Sequence, residues 1–358
     1  MAGRLDKLRR LIDSQGLKID ALLVESRENR EYLSGFSGSS GYLVIGLDFA
    51  YLVTDFRYTE QAAVQAPEFK VVRHGSPHTT TLAEVLAEAK VKRLGFERAH
   101  LTYGRYDDYR ARLGPVELVP TENLVEELRS VKDAGEIKLL KEASRIADEA
   151  FGSLLKLLKT GMTEKDVGTE LEYQMRKLGA EGLAFDPVIA SGPRSSLPHA
   201  EPTDRRIDFG DFLTIDFGAE YRGYRSDCTR TVAFGRVTKK QREVYEIVLR
   251  AQEAALEAAG PGMLGKELDG VARKVIDAAG YGANFGHGLG HGVGLAVHEA
   301  PGVGQTGDVP LQKGHVITLE PGIYLPGWGG VRIEDMGVIT AKGFDDFTTA
   351  PKELIVLE

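Results

Sequence analysis

Two stretches of this chain set acidic residues into runs that are otherwise apolar, and that conflict limits the possible folds more than any other feature. The first, FLTIDFGAEYRGYRSDCTRTVAF, reads as two strands, 212–218 and 225–234, around a turn centred between Tyr221 and Arg222. Counting outward from that turn puts Asp216 opposite Asp227 on one sheet face. The second, HVITLEPGIYLPGWGGVRIEDMGVI, turns around 325–330 and puts Glu320 opposite Glu334. Like charges facing each other in a sheet destabilise it unless a cation or a proton lies between them. One acid at a strand end in water would be ordinary; two matched pairs point to bound metal.

Between these segments stands HGLGHGVGLAVHE, which gathers His287, His291 and His298, three of the eight histidines, within twelve positions. Its glycines oppose a regular helix and suit a backbone that approaches other groups closely. Four carboxylates and one imidazole make an oxygen-rich donor set, unlike the thiolate sets of structural zinc sites. Divalent metal is expected, with Mn2+ the best match and Co2+, Zn2+ or Fe2+ also able to bind.

At 358 residues the chain is long enough for two domains with a sizeable core. Its first part alternates β-rich runs (21–24, 41–46, 51–55, 70–73, 93–97) with helical patterns (5–15, 58–65, 81–89), which predicts an α/β domain with a mixed or mainly parallel sheet. A polar stretch near 122–133 precedes a long helix from Ala134 whose stripe is Ile137, Leu140, Ala143, Ile146, Ala147 and Phe151. The expected domains are therefore 1–130 and 131–358. The second domain reads as two similar halves, helices 134–159 and 163–178 followed by strands, then helices 239–259 and 265–279 followed by strands.

The formal charge of −8 provides no broad basic surface, so neither nucleic acid nor an anionic membrane is an expected partner. The longest apolar stretches, such as 41–45 and 354–357, fall far short of the roughly 20 residues a membrane-spanning helix needs. With a single cysteine, Cys228, and an amphipathic N-terminus in place of a signal peptide, the expected location is cytoplasmic.

The run from His287 to Glu299, together with TIDFG, SDCTRT, TLEPGIY and VRIED in that order, resembles the pita-bread metallopeptidases, the family of aminopeptidase P, prolidase, methionine aminopeptidase and creatinase. NREYLSGFSGSSG and TDFRYTEQA are similar to the N-terminal domain of short bacterial proline-specific peptidases. The resemblance implies an α/β (α+β) chain, a creatinase-like N-terminal domain followed by a pita-bread catalytic domain. It implies that Asp216 holds one metal, that His291 and Glu320 hold the other, and that Asp227 and Glu334 bridge both. His199, His298 and Glu320 become the catalytic candidates, with His287, Tyr324 and Arg332 at the substrate wall or behind the ligands. The implied reaction is hydrolysis of peptides with proline second, by water or hydroxide held between two cations, in a homodimer.

Several readings stay open. An Xaa-Pro dipeptidase would use the same metals but must grip a free proline carboxylate. Gly302 stands where some similar dipeptidases carry arginine, which favours an aminopeptidase. A metal-free, creatinase-like hydrolase would not be expected to keep all five ligands. Methionine aminopeptidase fits less well because this chain has a substantial N-terminal domain. A peptide-binding protein on the same fold is the non-enzyme alternative. Cys228 reads as a small buried strand residue, and Trp328 as a turn-packing residue or a contact for substrate or a second subunit.

Overall fold

A computed structural model describes residues 3–358 of the chain. These residues divide into two compact units, the first ending at Arg129 and the second running from Ser130 to Glu358.

The first unit is built on a six-stranded sheet whose order is Lys70–Arg73, Ala50–Thr54, Tyr42–Gly46, Ala21–Val24, Arg93–Glu97, Glu117–Thr121. The sheet is mixed. Its two central hairpin pairings are antiparallel, and the pairings toward both edges are parallel. Continuous apolar runs such as Ala21–Val24 and Tyr42–Gly46 are buried throughout, as strands covered on both faces must be. Four elements were not anticipated, one of them the short helix Leu124–Ser130 within the stretch read as polar. The helices Arg27–Ser34 and Tyr103–Arg112 are dominated by charged and aromatic residues that blur a 3.6-residue stripe. The strand Glu117–Thr121 contains Pro120, which is tolerated because this strand lies at the sheet edge.

In the second unit, two helix pairs pack against strands. Ala134–Leu155 pairs with Glu164–Lys177, and Lys239–Ala258 pairs with Gly265–Ala278. Three of these helices begin with a capping box, at Asp133/Glu136, Thr163/Asp166 and Thr238/Gln241, which satisfies the otherwise orphaned first amides. Each half has its own core. The first buries Phe151, Leu171, Ile215 and Phe217, and the second buries Val248, Leu268, Ile317 and Ile333. The element order therefore repeats between the halves.

The first half carries the sheet Val356–Leu357, Cys228–Phe234, Phe212–Phe217, Val188–Ser191. The second carries Glu299–Val303, Gly290–Gly292, Val316–Leu319, Asp335–Thr340, Gly343–Asp346. Here one expectation is corrected. Asp216 pairs with Thr229, not with Asp227. The reason is the turn: Glu220 pairs with Arg225 and Tyr221 with Tyr224, so the two turn residues are Arg222 and Gly223, both at positive φ (50° and 76°). That two-residue turn is centred one residue later than expected, which moves every partner by two. A shift of two preserves the face, so Asp227 stays beside Asp216 as a diagonal neighbour. In the second segment, pairs Leu319↔Asp335 and Gly322↔Arg332 share one register, and Glu320 and Glu334 lie opposite each other in the gap between them.

Candidate metal centre

The carboxylates converge because the two strand pairs end at the same place. Asp227 immediately precedes the 228–234 strand, Glu320 follows 316–319, and Glu334 lies between 329–332 and 335–340. His291 sits at the middle of the short Gly290–Gly292 strand, which pairs with Ile317 through Gly292. A Cβ at Gly290 would collide with the carbonyl oxygen of Thr318, so only glycine lets this strand come close enough.

Single ligand atoms of Asp227, His291 and Glu334 lie within 4.8 Å of one another. The His291 Nε2 atom is 3.6 Å from Asp227 Oδ2 and 3.5 Å from Glu320 Oε1. Its Nδ1 lies 3.1 Å from the Gly292 carbonyl, which can only accept, so Nδ1 carries the proton and the Nε2 lone pair faces the acids. Burial, with His298 nearby, lowers His291 to about 4 and keeps the ring neutral. Asp216 is held differently, with its Oδ2 accepting from Arg332 Nη2 at 2.6 Å while its Oδ1 is buried without a partner.

Arg332 is nearly fully buried, at 3% exposure, and ties the site together. Its Nε donates to Thr229 Oγ1 at 3.0 Å, and its Nη1 donates to the Tyr324 hydroxyl at 2.9 Å. The Tyr324 oxygen therefore has its proton left for His287 Nε2, 2.9 Å away, while His287 Nδ1 meets the Gly288 carbonyl at 2.8 Å. Both nitrogens of His287 are thus committed within the protein, which makes it a wall and leaves it no free donor.

These groups fit divalent cations on their own chemistry. Burial and the neighbouring carboxylates push Asp227 and Glu334 well above the usual carboxylate range. Burial pushes Glu320 up to about 8 against the opposing Arg332, with Asp216 adding to the rise. Buried acids crowded in this way, with an orphaned Asp216 oxygen among them, lack positive charge that a metal ion supplies.

The acids open onto a cavity of about 470 Å³, lined also by His199, His287 and His298 and by Phe185, Val188, Pro198 and Val297. The His298 ring is 4.2 Å from that of His291. Sequence reasoning missed two residues here. Thr229 had been assigned no part because a threonine in a strand carries no signal of its own. Glu164, fully buried, accepts from the Ser191 amide and hydroxyl, the Thr203 amide and hydroxyl, and Arg194. It thereby pins the segment carrying Pro198 and His199. Burial alone would raise Glu164, but donors from Thr203 and Ser191 overcome it and hold the carboxyl below the usual range.

Residues 138–341 match Metallopeptidase family M24, and residues 4–131 match the Creatinase/Prolidase N-terminal domain. The chain belongs to metallopeptidase family M24. Membership implies divalent metal at this centre, in keeping with the donor set. This M24 chain is 40% identical to the Xaa-Pro dipeptidase of Pyrococcus furiosus over 99% of its own length and all of the relative. It is similar to the solved Xaa-Pro dipeptidase from Bacillus anthracis, with TM-score 0.96 and 44% identity over 99% of each chain. It is also similar to the solved X-Pro aminopeptidase from Thermotoga maritima, with TM-score 0.90 and 40% identity, covering 96% of this chain and 99% of the other. Among the described residues no helix is long and apolar enough to cross a membrane.

Proposed function

We propose that this M24 chain is an exopeptidase that hydrolyses the bond between an N-terminal residue and proline. The observation that carries the reading is one cavity in which crowded acids, histidines and an apolar lining meet, in a chain with full-length relatives named for Xaa-Pro bonds. Asp216, Asp227, His291, Glu320 and Glu334 are the residues that would hold two divalent ions, and Mn2+ suits their oxygen-rich set best. Bound there, such ions lower the pKa of a water and polarise a carbonyl.

The protein's own groups do the rest. Glu320 takes the proton of the attacking water and returns it to the departing nitrogen. With that proton, proline's nitrogen leaves as a neutral secondary amine. His298 and His199 donate to the carbonyl oxygen as charge develops, a contribution of about 3 kcal/mol for one such donor. Phe185, Val188, Pro198 and Val297 offer the proline ring apolar contact. The working form, by family resemblance, is a cytoplasmic homodimer, and light scattering on the purified chain checks the dimer.

Relatives named Xaa-Pro dipeptidase support free dipeptides as substrates. One observation favours longer peptides. Arg332 is the sole lysine or arginine among the described residues lining the cavity, and each of its guanidinium nitrogens already donates within the protein. No uncommitted cation there meets a free proline carboxylate. Metal-stripped protein is to be incubated with Xaa-Pro dipeptides and Xaa-Pro-Xaa peptides, with and without Mn2+, and the products identified by mass. Cleavage of dipeptides alone establishes the dipeptidase, and release of the first residue from longer peptides establishes the aminopeptidase. Inactivity on both despite bound metal overturns the proposal.

A further inference from the structure

Thr229 occupies the position opposite Asp216 that the sequence pattern reserves for Asp227. Its side chain is fully buried, and its hydroxyl has two partners. Arg332 Nε lies 3.0 Å away and can only donate, so the Thr229 oxygen accepts from it. The single hydroxyl proton is then directed to Glu334 Oε2, 2.6 Å away. The backbone repeats the connection, with the Glu334 amide donating to the Thr229 carbonyl at 3.1 Å. Among the described residues no other donor reaches the Glu334 carboxylate, so this one bond decides how the carboxylate is rotated.

The arrangement runs in one direction: Arg332 donates with Nη2 to Asp216 and with Nε to Thr229, and Thr229 donates to Glu334. One guanidinium thereby sets the orientation of an acid on each of the two strand pairs. We propose that Thr229 is a positioning residue of the metal centre, passing the orientation of Arg332 to Glu334 so that the carboxylate is held facing the metal site. This rests on the reading of Glu334 as a ligand. The β-branched side chain supports the role, because its restricted χ1 holds the hydroxyl in place without a further partner.

Groups behind a metal ligand change affinity by roughly 10–100-fold when removed. The test measures the Mn2+ dissociation constant of the intact, metal-stripped chain by chelator competition for the wild type, Thr229→Val, Thr229→Ala, Thr229→Ser and Glu334→Gln. Circular dichroism of the metal-free proteins checks folding. Loss of affinity by about 10-fold or more in the folded Val or Ala variant, with Ser near wild type, is the expected result. Alanine serves if the valine chain does not fold, since it adds no apolar group beside the acids. Wild-type affinity in Val or Ala, or equal loss in Ser, overturns the role of Thr229. Wild-type affinity in Glu334→Gln instead overturns the ligand assignment on which it rests, so the two failures are distinguishable.

Discussion

The two strand pairs that carry the acids look alike in sequence, yet they solve the same electrostatic problem differently. In the second pair the register sets Glu320 against Glu334, with Arg332 Nε 4.0 Å from Glu320, and burial raises both acids. In the first pair Thr229 replaces an acid opposite Asp216, and Asp216 makes a close ion pair with Arg332. One pair thus needs an added cation, and the other already holds part of its compensation. The difference comes from a turn placed one residue along, which shows how a local choice fixes which charges meet.

The two pairs are bolted together by Arg230 of the first and Asp335 of the second, both buried and 2.7 Å apart. Removing one partner leaves a buried charge alone, so Asp335→Ala is expected to cost about 3–5 kcal/mol in urea unfolding, the largest effect here. Burial by itself raises Asp335, but Arg230 and Lys352 hold its carboxyl below the usual range. Its folded pKa is therefore depressed. The stability it contributes is complete above the unfolded value of about 3.9 and is lost as pH falls through the folded one, which acid titration of wild type and variant compares.

A sharper contrast comes from amides at Asp216 and Glu334 in metal-free protein. Asp216→Asn weakens a charge-assisted bond to buried Arg332 and is expected to cost about 2 kcal/mol. Glu334→Gln removes a carboxyl whose charged form burial opposes, and is expected to leave metal-free stability unchanged or higher at pH 8. Equal losses in thermal melts would erase the distinction between the pairs.

The turn itself is tested by two substitutions, of which that at Arg222 has the smallest expected effect. Arg222 is exposed and at φ 50°, so Arg222→Asn is expected to stabilise by about 0.5 kcal/mol, whereas Gly223→Val is expected to cost about 1–3 kcal/mol. No difference between the two in denaturant midpoints would break the account of the register.

Much of the first unit was legible because strands such as Lys70–Arg73 and Arg93–Glu97 announce themselves by local composition. The helix Arg27–Ser34 was not, since burying Asn29 and Arg30 depends on partners brought by the fold: Glu97 and Glu126 accept from Asn29, and the carbonyls of Gly38 and Gly41 accept from Arg30. In the second unit the acids and histidines were visible as residues out of place in apolar or glycine-rich runs. Glu164 was invisible for the opposite reason: an acid in the first turn of a helix is ordinary, and its five donors lie 27–39 residues away.

The sequence by itself determined the chemical inventory, because burying acids in apolar strands has few physical explanations. It also determined the face on which Asp216 and Asp227 lie, because the strand period of two survives an error of two in register. Only the tertiary structure decided which atoms point where: that Thr229 stands opposite Asp216, that Arg332 reaches both strand pairs, and that His291 turns Nε2 toward the acids while His287 is committed elsewhere. Those outcomes depend on hydrogen bonds between residues up to 116 positions apart, and each is directional to within an atom, which no local pattern of residues records.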